Sequence, residues 1–445
     1  MTQQHVAQRG RLRPDSPPFH LRVCDNPYNS CGHIACHRVH VLPLAKRLAE
    51  PSAAEVRGRI LTAARSAEIQ PFEVMEVLAR ANQLEREGRH IVRMEIGEPD
   101  FTAPGPVVEA ATRAMRDGLT AYTPALGIPE LREAIAGFYA ARHGVIVAPE
   151  RIAVTAGASG GLLLTLAMLV DPGDEVLVPD PGYPCYRHFV RAFEGVARAI
   201  DVRGDAGFQP TLAQVQAAWG PRTKALILGS PSNPTGTLID PAEFARIAAF
   251  IDSRGGVLIS DEIYNGLVYG EESRTALVLP GRVVAINSFS KYFCMTGWRL
   301  GWAVLPEELV RPFETLAQHL FICPPSLSQR AALAAFLPQT IEILESRREE
   351  FRRRRDFIVP ALEQIGFRMQ ARPNGAFYVF ADCSAFHADA KRFAFDVLLE
   401  RAGVAATPGN DFGANDTARY VRFAYTRGMQ DLEEGVRRIH AACAG

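Results

Sequence analysis

From about residue 70 onward the chain alternates between two rhythms of apolar and polar positions. In FEVMEVLARANQLEREG (72–88), Phe72, Met75, Leu78 and Leu84 recur near the spacing of a helix face. Short apolar runs and amphipathic stretches then follow one another. RIAVTAG (151–157) predicts a strand, with a helix running on through GGLLLTLAMLV (160–170). EVLVPDPGY (175–183) predicts a strand and a turn. KALILGSPSNPTG (224–236) predicts a strand and a Pro/Gly/Asn loop. PAEFARIAAFIDSRG (241–255) reads as a helix ending at glycine. GVLISDEIY (256–264) and VVAINSFSK (283–291) are again strand, then loop. Strands separated by helices imply an α/β fold, a mostly parallel sheet with helices on its faces.

After about residue 310 the texture changes. TIEILESRREEFRRRRDFIVPALEQIG (340–366) reads as one long charged helix, and its RREEFRRRRD run as a solvated face. GAFYVFAD (375–382) and ARYVRFAY (418–425) alternate like strands of a smaller α+β unit. The expected organisation is a large domain over 106–335 and a small domain built from 58–105 and 336–445. Residues 1–57 mix Pro, Arg, Cys and His without helical or strand period. They read as an irregular extension, native or the product of a start site placed too far upstream. Cys24, Cys31, Cys36, His33 and His37 within it fit no common zinc spacing, so no metal site is expected.

Composition narrows the function classes. A chain of 445 residues has room for two or three domains. Lysine plus arginine and aspartate plus glutamate both number 49, giving zero formal net charge, which argues against general nucleic-acid binding. The longest apolar runs, such as LLLTLAMLV (162–170), are too short to span a bilayer, and no N-terminal segment resembles a secretion signal. Eight scattered cysteines without a CxxC pair fit reduced thiols in a cytoplasmic protein.

In open α/β sheets the ligand sits at the carboxyl ends of the strands. After RIAVTAG come Ala158, Ser159 and Gly160 at a helix start, where backbone N–H groups face an anion. Tyr183 follows EVLVPDPG, Asn233 follows ALILGSPS, and Asp261 and Tyr264 follow GVLIS. Ser288, Ser290, Lys291 and then Arg299 follow VVAIN. Each alone is a cap, an ion-pair partner or a surface residue more often than a functional group. Together, at one sheet edge, they match what pyridoxal phosphate needs. Its aldehyde needs an amine and its ring nitrogen a carboxylate. Its ring face takes an aromatic plate. Its phosphate needs a helix N-terminus, hydroxyls and a guanidinium.

SFSKYFCMTGWRLG (288–301) resembles the active-site lysine segment of class I/II aminotransferases, the fold type I family of pyridoxal-phosphate enzymes. EPDF (98–101), YTPALGIPELREAIA (122–136), SPSNPTG (230–236), SDEIY (260–264), NGAFYVF (374–380) and PGNDFG (408–413) resemble other family motifs, in the family's order. The resemblance covers roughly residues 60–440. It implies that Lys291 forms the Schiff base and moves the proton, with Asp261 on the pyridine nitrogen. Asn233 and Tyr264 would bond the ring oxygen, and Tyr183 would stack on the ring. Ala158, Ser159, Ser288, Ser290 and Arg299 would hold the phosphate, joined by Tyr122 from a partner subunit of a homodimer. Arg422 and the Gly97 backbone would receive the substrate carboxylate, with Asn233 alongside. Read without the resemblance, Arg419 and Arg427 compete with Arg422 for that task.

The implied reaction passes an amino group from an L-amino acid to a 2-oxo acid, such as 2-oxoglutarate or pyruvate. In the aspartate-specialised branch a lysine binds the side-chain carboxylate from the turn that here reads TAGASGG, and Ser159 stands at that position. Aspartate is therefore disfavoured, and apolar, aromatic and small amino acids stay open. Lyases and synthases of the same fold share these cofactor residues and remain the alternative. A regulator fused to a DNA-binding module is a remoter one, since the N-terminal segment shows no helix-turn-helix pattern.

Overall fold

A computed structural model of the chain describes residues 62–444. The irregular extension over 1–57, with Cys24, Cys31, His33, Cys36 and His37, lies outside the described residues. Twelve strands occur among those described: β1 (Val92–Arg93), β2 (Ile152–Thr155), β3 (Glu175–Asp180), β4 (Val196–Asp201), β5 (Thr223–Gly229), β6 (Val257–Asp261), β7 (Val283–Ser288), β8 (Gly301–Val304), β9 (Tyr378–Asp382), β10 (Val404–Ala405), β11 (Thr407–Pro408) and β12 (Tyr420–Ala424).

Seven of them form one sheet in the order β2-β8-β7-β6-β5-β3-β4. The pairs from β7 through β6, β5 and β3 to β4 are parallel, whereas β8 runs antiparallel between β2 and β7. Strands β6 and β7 are buried at every position, as expected when helices cover both faces. Alternate side chains serve opposite faces. Val176, Val178, Ile227, Ile259 and Ile286 meet Leu162 and Leu166 of the helix Gly157–Leu169. Leu177, Leu226, Leu228 and Leu258 meet Phe244, Ile247 and Ile251 of the helix Pro241–Ser253. Pro at the first turn and an Asp240 side chain accepting from Glu243 N start the latter helix.

A second sheet, β11-β12-β9, is antiparallel, and β1 pairs in parallel with β10. The start and end of the described chain therefore share one small layer. No helix among the described residues is long and apolar enough to cross a membrane.

Two sequence expectations need correction. The helix Glu73–Arg86 exists, but its buried face is Val74, Val77, Ala81 and Leu84. Met75 is 53% exposed, and Phe72 precedes the helix with its ring edge-on to Tyr183. Small apolar residues make this contact, and their weight was hidden by the larger ones. The arginine run in the helix Pro338–Ile365 is not wholly a solvated face either. Arg354 and Arg355 are buried. Arg354 pairs with Asp100 at 2.9 Å and lies over the Phe101 and Phe351 rings, so one turn of the run faces inward.

Candidate active site

Parallel strands deliver their carboxyl ends to one edge, and the singled-out residues collect there. β7 ends at Ser288, and the turn after it carries Lys291. Lys291 Nζ donates to the Gly97 carbonyl at 2.7 Å. It stands 6.0 Å from the centroid of the Tyr264 ring and 5.9 Å from that of Phe377. Burial lowers the Lys291 pKa to about 8; Arg422 and Arg299 push the same way, against Glu98 and Asp261. A lysine so placed is neutral at mildly alkaline pH and able to act as a nucleophile or base.

Asp261 ends β6 and is buried. Its Oδ2 accepts from the Tyr186 hydroxyl at 2.6 Å and its Oδ1 from Ile263 N at 3.2 Å. Burial raises its pKa, and these hydrogen bonds and Lys291 pull it back. A buried carboxylate with a spare oxygen lone pair suits a cationic ring nitrogen.

An anion cradle forms where β2, β7 and β8 meet. The helix Gly157–Leu169 opens there with Ala158 and Ser159 in its first turn. A Cβ on Gly157, whose φ is +72°, would stand 2.6 Å from Arg299 Nη2, so the missing side chain lets the guanidinium reach the helix N-terminus. The Ser288 hydroxyl donates to Ser290 Oγ at 2.9 Å, and both serines are buried. Arg299 has a left-handed backbone, φ +53°, two residues before β8 begins its antiparallel run along β7. That reversal brings its side chain over the strand end.

Arg422 projects from β12 and is buried. Its guanidinium donates to Asn233 Oδ1 at 2.9 Å, the Glu95 carbonyl at 2.5 Å and Thr407 Oγ1 at 3.3 Å. It lies 4.3 Å from the Tyr378 ring centroid and 4.8 Å from that of Phe412, and its Nε has no partner among the described residues. Of the rival arginines, Arg419 pairs with Asp382 at 2.6 Å, and Arg427 is exposed. Tyr183 packs edge-on against Tyr186, ring centroids 5.4 Å apart. Tyr122 stands apart, 81% exposed.

Lys291, Gly97, Tyr264, Arg422 and Asn233, and Asp261 with Tyr186 and Tyr183, thus gather through these contacts at the strand ends beside the cradle, whereas Tyr122 is exposed. Sequence reasoning passed over Tyr186, Tyr378 and Glu98. The Tyr183–Tyr186 spacing of three, at the start of the helix Cys185–Ala192, was the available signal for the first. For Tyr378 it was strand alternation: Arg422 pairs with Phe380, so Tyr378 is its diagonal neighbour on the same face. Glu98 lies in the quoted EPDF and carried no signal of its own.

Comparison with known proteins agrees with this geometry. The fold is that of fold type I aminotransferases. A solved structure of an aminotransferase from Mycobacterium tuberculosis superposes with a TM-score of 0.84 at 40% identity, covering 87% of this chain and all of that one. The aspartate aminotransferase from Thermus thermophilus with maleate gives 0.82 at 36% identity, covering 86% and 100%. The family described as aminotransferase class I and II matches residues 89–439. A valine–pyruvate aminotransferase of M. tuberculosis is 41% identical over 376 residues, covering 83% of this chain and 96% of that protein. The aspartate/prephenate aminotransferase of T. thermophilus is 38% identical over 374 residues, covering 83% and 96%. The chain belongs to the class I and II aminotransferases, and it is an aminotransferase.

Proposed function

We propose that the chain is a pyridoxal-phosphate-dependent aminotransferase that takes an L-amino acid with an apolar side chain and uses pyruvate or 2-oxoglutarate as acceptor. The observation carrying the cofactor is the pairing of a lysine of lowered pKa with an anion cradle across one cleft. When bound, the cofactor supplies an aldehyde for the Lys291 amine and a ring that draws electrons from the donor's Cα. Asp261, steadied by Tyr186, holds the ring nitrogen's positive charge. Tyr264 and Asn233 hold the ring oxygen, and Tyr183 covers the ring face. Ala158 and Ser159 backbone groups, Ser288, Ser290 and Arg299 hold the phosphate. Arg422, with Asn233 and the Gly97 backbone, orients the donor's carboxylate so that Cα–H faces Lys291, which takes the proton when neutral.

The apolar donor is supported by Ser159 in place of a lysine, by the engagement of Arg419 with Asp382, and by the aromatic wall of Phe72 and Tyr183. The 41% identical relative named for valine and pyruvate points the same way. The pairing of β1 with β10, within the described residues, supports the expected small domain over 58–105 and 336–445 beside a large domain over 106–335. A homodimer is supported by the exposed apolar residues Met115, Leu119, Tyr122, Leu320 and Ile322. The Ser326 hydroxyl, donating to the Ala121 carbonyl at 2.8 Å, holds the stretches that carry them side by side. We place the protein in the cytoplasm on its scattered cysteines.

The test is a screen of single amino acids against pyruvate and 2-oxoglutarate. Alanine or glutamate formation with valine, leucine or isoleucine is expected. Ammonia release without it would instead establish a lyase. Lys291→Ala is expected to lose the borohydride-reducible attachment to added pyridoxal phosphate and about 10³-fold or more in turnover. A retained attachment would move the role to another lysine.

A further inference from the structure

Tyr378 stands where three parts of the site meet. It begins β9 and is buried. Its hydroxyl lies 2.7 Å from the Tyr264 hydroxyl, its only hydrogen-bond partner among the described residues. Its ring lies under the Arg422 guanidinium, 4.3 Å from carbon to centroid. Its hydroxyl also fills the place of a side chain at Gly97, where a Cβ would come within 1.7 Å of it. Gly97 is thus glycine because Tyr378 occupies its side, and the Gly97 carbonyl is the one that receives Lys291.

Each phenol has one proton to give. Burial raises the pKa of both, so both stay protonated through the working range. If Tyr264 gives its proton to the cofactor's ring oxygen, its own oxygen must accept in the Tyr264–Tyr378 bond, and Tyr378 must donate. A cation over the ring face makes that phenol a stronger donor, because it stabilises the electron density left on oxygen. A carboxylate arriving at Arg422 offsets the cation and weakens the effect.

We propose that Tyr378 is a positioning residue: its hydroxyl donates to Tyr264 and directs the Tyr264 proton at the ring oxygen, and Arg422 links this relay to substrate-carboxylate binding. The proposal rests on the cofactor reading above. The charged or titratable groups facing the pair are Arg422 from β12, Tyr183 from the turn after β3, and Lys291 from the turn after β7.

The experiment uses the full-length enzyme loaded with pyridoxal phosphate. Tyr378→Phe keeps the ring under Arg422 and removes only the hydroxyl. Its dissociation constant for pyridoxal phosphate is expected to rise about 3- to 10-fold, the loss of one hydrogen bond. The midpoint of the bound cofactor's pH-dependent absorbance change should rise by about half a pH unit, since the ring oxygen holds its proton more tightly. Isovalerate, a carboxylate without an amino group, should shift that midpoint in the wild type and shift it less in the variant. In a Tyr264→Phe background, Tyr378→Phe should change nothing further. A variant with the wild-type midpoint overturns the relay, as does an undiminished effect when Tyr264 lacks its hydroxyl. A wild-type protein that shows no bound-cofactor band overturns the cofactor reading, and a band that does not respond to pH overturns the relay alone. Should Tyr378→Phe not fold, monofluorotyrosine at 378 keeps the shape and donates more strongly. It should lower the midpoint, and no change overturns the proposal.

Discussion

Arg422 and Arg299 both act on Lys291 and are held in opposite ways. Arg422 is 5% exposed, lies between two aromatic rings and donates to Asn233, Glu95 and Thr407. Arg299 is exposed, and its guanidinium donates to one backbone carbonyl, that of Thr296, at 3.0 Å. Its placement comes from a left-handed backbone and from the space left by Gly157. In the function proposed above, Arg422 would orient a passing substrate and is rigid beforehand, because misorientation lowers the rate directly. Arg299 would need only to be close to a bound anion, since the helix N-terminus and two serines would share the task.

The lysine between the two gives the largest expected effect. Its pKa of about 8 in the fold, against 10.5 when free, means that folding disfavours its charged form. Between those values the unfolded chain binds a proton that the native apoprotein does not. Stability of the apoprotein should therefore rise with pH across that window, by up to about 3 kcal/mol, with the full penalty present below it. Denaturant titrations of wild type and Lys291→Met across the window check this: the variant's profile should lack that rise, and parallel profiles would show that the lysine is not held neutral.

Next in size is Arg422→Leu, which should lower kcat/KM for the amino donor by about 1.5–3 kcal/mol, or roughly 10- to 150-fold. Arg422→Lys should restore little of it, because one ammonium cannot reproduce a planar fork held by three acceptors. Steady-state kinetics with a single donor would separate the cases, and full rescue by lysine would reduce the site to a point charge. The smallest effect belongs to Arg299→Ala. It should weaken pyridoxal phosphate binding about ten-fold and leave the donor's KM within about two-fold, while making cofactor affinity less sensitive to salt. Equal losses in cofactor and donor affinity would erase the contrast between the two arginines.

Much of this was legible in the chain itself, for identifiable reasons. Strand-to-loop transitions placed Asp261, Lys291 and Asn233 at one edge because strands buried on both faces are unbroken apolar runs ending abruptly in polar residues. Arg422 was harder to single out, since Arg419, Arg422 and Arg427 look alike in a strand pattern. What separates them is pairing across space, Arg419 with Asp382 and Arg422 with Asn233. Arg354 was misjudged for the same reason: its partner Asp100 lies far away in the chain. The antiparallel β8 was hidden in RLGWAV, four residues long and adjoining the lysine loop. Tyr186 and Tyr378 left only a spacing of three and a strand alternation, too weak to name a task without the contacts themselves.

The pairing of β1 with β10 has a consequence for how the enzyme comes into being. The carbonyls of Glu95 and Gly97, which receive Arg422 and Lys291, are made well before Arg422, which lies 327 residues beyond Glu95. Contacts so distant along the chain form late, because long loops must close before they are rewarded. A ribosome stalled after β8 would carry the lysine, the aspartate, Asn233 and the anion cradle, yet not the arginine proposed to orient a donor.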